Sequence, residues 1–187
     1  MYVTYTIEGI DNKELYSIVF NNLKNTVRGG AKVTGFNIHQ IKNRSLDSLL
    51  NAISKVVPLA SHNLIGNYSE NLETILERNK NSPKEGGGGI DGFDLTAFEI
   101  VECWGVLYNE GDQILKHNHF PYSISFCYYV NASNQSASLI IEEDEVEVDQ
   151  GMLVMFPSYS QHYVLPNKYD SRCCINGNLI YNGGLPY

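Results

Sequence analysis

Apolar and polar residues alternate at the start of the chain. Val3, Tyr5 and Ile7 fall on one side of residues 1–9, which reads as a strand. The period then lengthens. Asp11 opens a helix, with Glu14 three residues on as in a capping box. Leu15, Ile18, Val19 and Leu23 follow at helical spacing, and Gly29–Gly30 closes the segment. A second helix is expected from Ser45, with Leu46, Leu49, Leu50, Ile53 and Val57 on one face and Pro58 as its stop. A third is expected from Ser69, carrying Leu72, Ile75 and Leu76. Such amphipathic helices need a surface to pack on.

Residues 81–92, NSPKEGGGGIDG, read as a loop. Its glycines lack the Gly-Lys-Ser/Thr ending of a phosphate cradle, leaving a surface loop or a lid over a nearby site. Beyond Phe93 the pattern turns to β, with strands expected over 94–101, 103–108, 112–119, 123–131, 137–141, 145–148, 152–156, 162–165 and 172–180. That spacing suggests a sandwich or barrel. The acidic run Glu142–Glu145 fits a solvated turn or charged edge strand better than a calcium loop. The expected organisation is a single domain over 1–187, with a strand and helices over 1–80, the loop, and a β core over 93–187.

Composition narrows the classes. The chain of 187 residues is long enough for a sizeable core. Its 13 basic and 21 acidic residues give a net charge of −8, which disfavours nucleic-acid binding. No apolar run reaches the length of a membrane span, and the N-terminus does not resemble a secretory signal. Four cysteines are too few for a disulfide scaffold and are read as reduced thiols, so a cytoplasmic location is expected. The tyrosine-rich composition and the N-terminal strand are features that support a homodimer.

Three of the five histidines stand out. His117 and His119 are two apart on an expected strand, so alternation places both imidazoles on one face. His162 follows after a distance that lets a return strand bring it alongside. Imidazoles so placed suit Fe, Cu, Ni or Zn. His39 and His62, in the helical half, are read as ordinary residues. Arg172 lies ten residues beyond His162 and begins a strand with one polar face: Arg172, Cys174, Asn176 and Asn178. Cys173, Ile175 and Leu179 take the other. The strand after the His pair divides the same way, with Ser123, Ser125, Cys127, Tyr129 and Asn131 on the side expected to face the metal, unless Pro121 adds a bulge. A polar face that holds an arginine and two asparagines is what an internal binding cavity needs.

Two patterns connect these residues to known families. Gly111 to His119 reads G-x5-H-x-H, and Gly151 to His162 reads G-x5-P-x-Y-x2-H, resembling the two halves of the cupin signature. The cupin glutamate after the second histidine is missing, and Tyr159 stands in place of a glycine. A second family fits better. Residues 104–178 resemble the 2-oxoglutarate-Fe(II) oxygenases of bacteria and tailed phages, through Trp104 and Gly111, HNHFPYSISFCYYVN, GMLVMFPSYSQHYV and RCCINGN. Two positions depart from the usual motif: His119 stands where a carboxylate is usual, and Cys174 where many members have serine.

The resemblance implies a double-stranded β-helix, or jelly roll, with the N-terminal helices outside. It implies an enzyme, a hydroxylase, that uses Fe(II) with 2-oxoglutarate and dioxygen. His117, His119 and His162 would hold the metal. Arg172, with Tyr129 and Cys174, would bind the co-substrate. Trp104, Ser125, Cys127, Asn131, Asn176 and Asn178 are candidates for the pocket wall. The residues alone leave two other readings open: a three-histidine cupin that does not use 2-oxoglutarate, and a non-catalytic jelly roll.

Overall fold

A computed structural model describes residues 1–65, 97–133, 135–169 and 171–183. The expected third helix and the glycine-rich loop lie outside these residues. In chain order the elements are β1 (Val3–Thr6), α1 (Asn12–Asn21), β2 (Leu23–Thr26), β3 (Lys32–Thr34), a short 3-10 turn (Ile38–Gln40) and α2 (Arg44–Ile65). Then follow β4 (Phe98–Tyr108), β5 (Ile114–His117), β6 (Ile124–Asn131), β7 (Leu139–Ile141) and β8 (Asp144–Val146). The last are β9 (Met152–Pro157), β10 (His162–Val164) and β11 (Arg172–Tyr181).

The strands form two sheets, one ordered β1-β9-β6-β11-β4-β3-β2 and the other β5-β10-β7-β8. Side-chain alternation along the large sheet divides the molecule into two cores. Cys127 and Tyr129 of β6 face the same way as Cys174 of β11, which pairs with Tyr129. On one face Phe126, Tyr128, Val130, Cys173, Ile175 and Leu179 pack against Leu15, Ile18 and Val19 of α1 and the apolar stripe of α2. On the other, Trp104, Val106, Tyr108, Cys127, Tyr129, Val154, Phe156 and Cys174 meet Leu139, Ile141, Val146 and Val164 of the small sheet. This is the jelly roll, with helices on its outer face.

The helices are fixed at their starts. Asp11 caps α1, its side chain accepting from the Glu14 amide at 3.0 Å. Glu14 does not complete a capping box. Its carboxylate accepts from the Asn43 side chain at 2.9 Å, and Asn43 in turn accepts from the amides of Ser45 and Leu46 at the start of α2. One carboxylate therefore links two helix starts. Gly105, in the second half of β4, lets α1 lie close: a Cβ there would fall 2.5 Å from Val19 Cγ2.

Several expected boundaries differ. α1 ends at Asn21, and the chain enters the β2–β3 hairpin, which extends the large sheet. β1 joins the same sheet through β9, so the barrel draws strands from the N-terminal part as well. α2 runs through Pro58, because its buried stripe continues with Ala60 and Leu64. Tertiary burial there outweighs the one backbone hydrogen bond that proline cannot make. Residues 98–108 are one strand rather than parts of two. β5 stops at His117, leaving His119 in the following loop. Pro121 lies in that loop, and the one irregularity in the pairing of β6 with β11 falls at its other end, between Tyr129 and Asn131.

Candidate active site

Between the sheets lies a cavity of about 500 Å³. The three histidines meet at its wall, and each offers a ring nitrogen within 4.8 Å of the other two. His162 lies directly opposite His117 in the β10–β5 pairing. Val164 pairs with Ile114, so Leu115 and Lys116 together face Tyr163 alone. This bulge gives β5 one extra residue, which turns both Ile114 and His117 inward. Without it, strict alternation would send one of the two to the outside.

His119 is placed differently. Its amide donates to the Ser158 carbonyl at 2.7 Å, which draws the loop after β5 onto the loop between β9 and β10. Its ring rests 5.3 Å from Trp104, centroid to centroid. Two tautomers are set by main-chain carbonyls: His117 Nδ1 lies 2.8 Å from Leu115 O, and His162 Nδ1 lies 3.1 Å from Ser160 O. Each carbonyl needs a proton on Nδ1, so Nε2 is left with its lone pair. Burial, followed by the neighbouring His117, pushes His119 down to about 4. The same causes in the same order push His162 down to about 3, with His119 adding a little. Both rings are therefore neutral at neutral pH, the form that binds a metal.

Arg172 forms another part of the cavity wall. It is 2% exposed, and its Nε and Nη1 have no hydrogen-bond partner. Nη2 reaches Tyr129 Oη at 3.5 Å, and the guanidinium lies 4.3 Å from the Tyr108 ring centroid and 5.1 Å from that of Tyr129. No carboxylate is among the described residues that line the cavity. A buried cation with idle donors is costly in isolation and calls for an anion. Arg172 pairs with Tyr108, four residues along β4 from the Trp104 that touches His119.

Trp104, Ser125, Cys127, Tyr129 and Asn176 line the same cavity. Three other expected residues do not. Cys174 is buried in the core between the sheets, where Asn176 Nδ2 lies 3.5 Å from its sulfur. Asn131 turns to the Ser171 carbonyl, and Asn178 sits behind Ser125 and donates to Glu102. Cys127 is held protonated, its thiol pushed up chiefly by burial.

No protein-family model matches the sequence, and no curated protein sequence is similar to it. Solved structures are. A prolyl-4-hydroxylase from Pseudomonas putida matches with a TM-score of 0.61 at 17% identity, over 97% of this chain and 92% of that one. The viral collagen prolyl hydroxylase of Paramecium Bursaria Chlorella virus-1, solved with 2-oxoglutarate, matches with a TM-score of 0.64 at 11% identity, over 95% and 94%. The non-haem carbocyclase SnoK of nogalamycin biosynthesis gives 0.63 at 11% identity, over 98% and 82%. The fold is that of the 2-oxoglutarate-Fe(II) oxygenases.

Other wall residues lie outside the set expected from sequence, Tyr108, Val27, Val33 and Phe36 among them. Tyr108 was legible, since it is four residues from Trp104 on one strand and so on the same face. Val27, Val33 and Phe36 were not. They come from the hairpin and the turn after it: Val27 falls at the end of the expected helix, and Val33 and Phe36 lie between Gly30 and Ser45, where the sequence pattern predicts no element. Phe36 stacks at a tilt on Trp104, with centroids 5.1 Å apart.

Proposed function

We propose that this protein is a 2-oxoglutarate- and Fe(II)-dependent oxygenase, most simply a hydroxylase. His117, His119 and His162 would hold the metal, each through one ring nitrogen. Arg172 and Tyr129 take the distal carboxylate of 2-oxoglutarate. The observation that carries this reading is the buried Arg172, whose Nε and Nη1 have no hydrogen-bond partner and which lines the same cavity as the three converging histidines. In a purely structural jelly roll, a buried guanidinium without an anion would only destabilise the fold.

When bound, iron and 2-oxoglutarate supply the oxidising chemistry, in which dioxygen converts 2-oxoglutarate to succinate and CO2 as the substrate gains a hydroxyl. The protein's own residues do three things. The backbone carbonyls of Leu115 and Ser160 keep two imidazoles in the ligating tautomer. The faces of Tyr108 and Tyr129 support the guanidinium through their π-electrons. Trp104, Phe156 and the aliphatic walls exclude water.

The test is anaerobic addition of Fe(II), then 2-oxoglutarate, to metal-free protein, followed by visible absorption. A charge-transfer band that needs both components supports the reading. Iron binding without such a band supports the second reading, a three-histidine dioxygenase that does not use 2-oxoglutarate. His119 in place of a carboxylate is the observation in its favour. Failure to bind iron removes both.

A further inference from the structure

We propose that Ser158, Ser125, Asn178 and Glu102 form a hydrogen-bonded brace, buried except at the partly exposed Glu102, that sets the separation of His119 and His162, and so act as positioning residues for the metal. The inference rests on the metal reading above. Ser125, Asn178 and Glu102 lie side by side in one cross-strand row over β6, β11 and β4. Ser158 and Asn178 are fully buried, and Ser125 is 2% exposed.

The hydrogen bonds have a fixed direction. Asn178 Nδ2 donates to Glu102 Oε2 at 3.0 Å. Its Oδ1 therefore accepts, from Ser125 Oγ at 2.8 Å. That uses the only proton of Ser125, so the Ser158 hydroxyl, 2.8 Å away, is the donor to Ser125 Oγ. The chain runs from Ser158 to a carboxylate without a free end.

Ser158 is also held through its backbone. Its amide donates to Ser123 O at 3.1 Å, and its carbonyl accepts the His119 amide at 2.7 Å. Two residues on, the Ser160 carbonyl faces His162 Nδ1 at 3.1 Å. One short loop thus grips the backbone of one histidine and the ring of another. Apolar side chains would fill this row without desolvating polar groups. A fully satisfied polar row instead specifies one position for the loop.

The probe is Co(II), titrated into the metal-free full chain and read by visible absorption, beside the thermal midpoint of each metal-free variant. Ser125→Ala and Asn178→Leu should raise the Co(II) Kd at least about tenfold and change the band shape. Glu102→Leu, which removes the terminal acceptor, should also raise the Kd, and Glu102→Gln, which keeps an acceptor oxygen, should recover most of that loss. Tyr128→Phe removes a comparable hydrogen bond, 2.9 Å to Asn12, on the opposite face of the sheet. It should lower the midpoint without moving the Kd. The brace is refuted if Ser125→Ala binds Co(II) as the wild type does, or if Tyr128→Phe weakens binding equally. Should Asn178→Leu fail to fold, Ser125→Ala decides. A wild-type chain that binds no Co(II) overturns the metal reading, and the brace with it.

Discussion

Arg172 and Tyr108 are direct partners in the β11–β4 pairing, and the guanidinium carbon lies 4.3 Å from the centre of the tyrosine ring. The tyrosine offers a π-face, which does not neutralise the charge as a carboxylate would. The arginine is thus held in place while its Nε and Nη1 stay without partners.

This arrangement predicts opposed effects of one substitution. Arg172→Met removes an uncompensated buried charge, so the metal-free protein should melt at a higher temperature, by scanning calorimetry. The same variant should lose 2-oxoglutarate affinity by roughly 10–100-fold, the worth of about 1.5–3 kcal/mol for hydrogen bonds to a charged group. Titration calorimetry with Mn(II)-loaded protein measures this without turnover. A variant that is less stable yet binds normally would sink the assignment.

His162→Ala should abolish tight metal binding while the far-ultraviolet circular dichroism spectrum stays native. His162 sits at the start of a three-residue strand, not in the main helix-facing core. His39→Ala, outside the cluster, should leave metal binding unchanged. Equilibrium dialysis with metal analysis would compare the two.

Acid should destabilise the metal-free protein earlier than its carboxylates alone require. In the unfolded chain His119 and His162 take up protons near pH 6.5. Folded, they resist until about 4 and about 3. Between these limits the unfolded state binds more protons, so stability falls as pH falls, by linkage. Urea unfolding at a series of pH values should show this slope. His162→Gln should reduce it, because glutamine does not titrate.

Gly105→Ala should cost about 1–3 kcal/mol, since its Cβ would press into Val19 at 2.5 Å. Val19→Ala should also destabilise the protein on its own. The double variant should recover part of the sum, as contacting sites do. Strict additivity, measured by denaturant unfolding, would contradict the close approach of α1 to β4.

The barrel is legible in the sequence wherever strands are long and clearly patterned. The opposite-facing sets on β6 and β11 appear as alternation, and the polar set on β11 singles out Arg172. Three features are hidden for physical reasons. The β2–β3 hairpin consists of short strands with mostly exposed residues, so its pairing comes from β4 and not from its own pattern. Pro58 gives the same local signal whether a helix stops or is held by burial on both sides. His119 shares the spacing of a strand residue, but the Ser158 carbonyl, 39 positions away, holds it in a loop. The convergence of the three histidines thus depends on a bulge and a loop contact as well as on alternation.

In the large sheet, β11 lies between β6 and β4. It is also the last strand in chain order. Until it is made, β1-β9-β6 and β4-β3-β2 have no common seam, and both present open edges to water and to other chains. The small sheet, which carries His117 and His162, is already complete in sequence by then. The parts of the cavity wall therefore differ in when they can first exist during synthesis. The strands that carry His117 and His162 are present in the chain up to β10, whereas Arg172 arrives with the strand that joins the two halves of the large sheet.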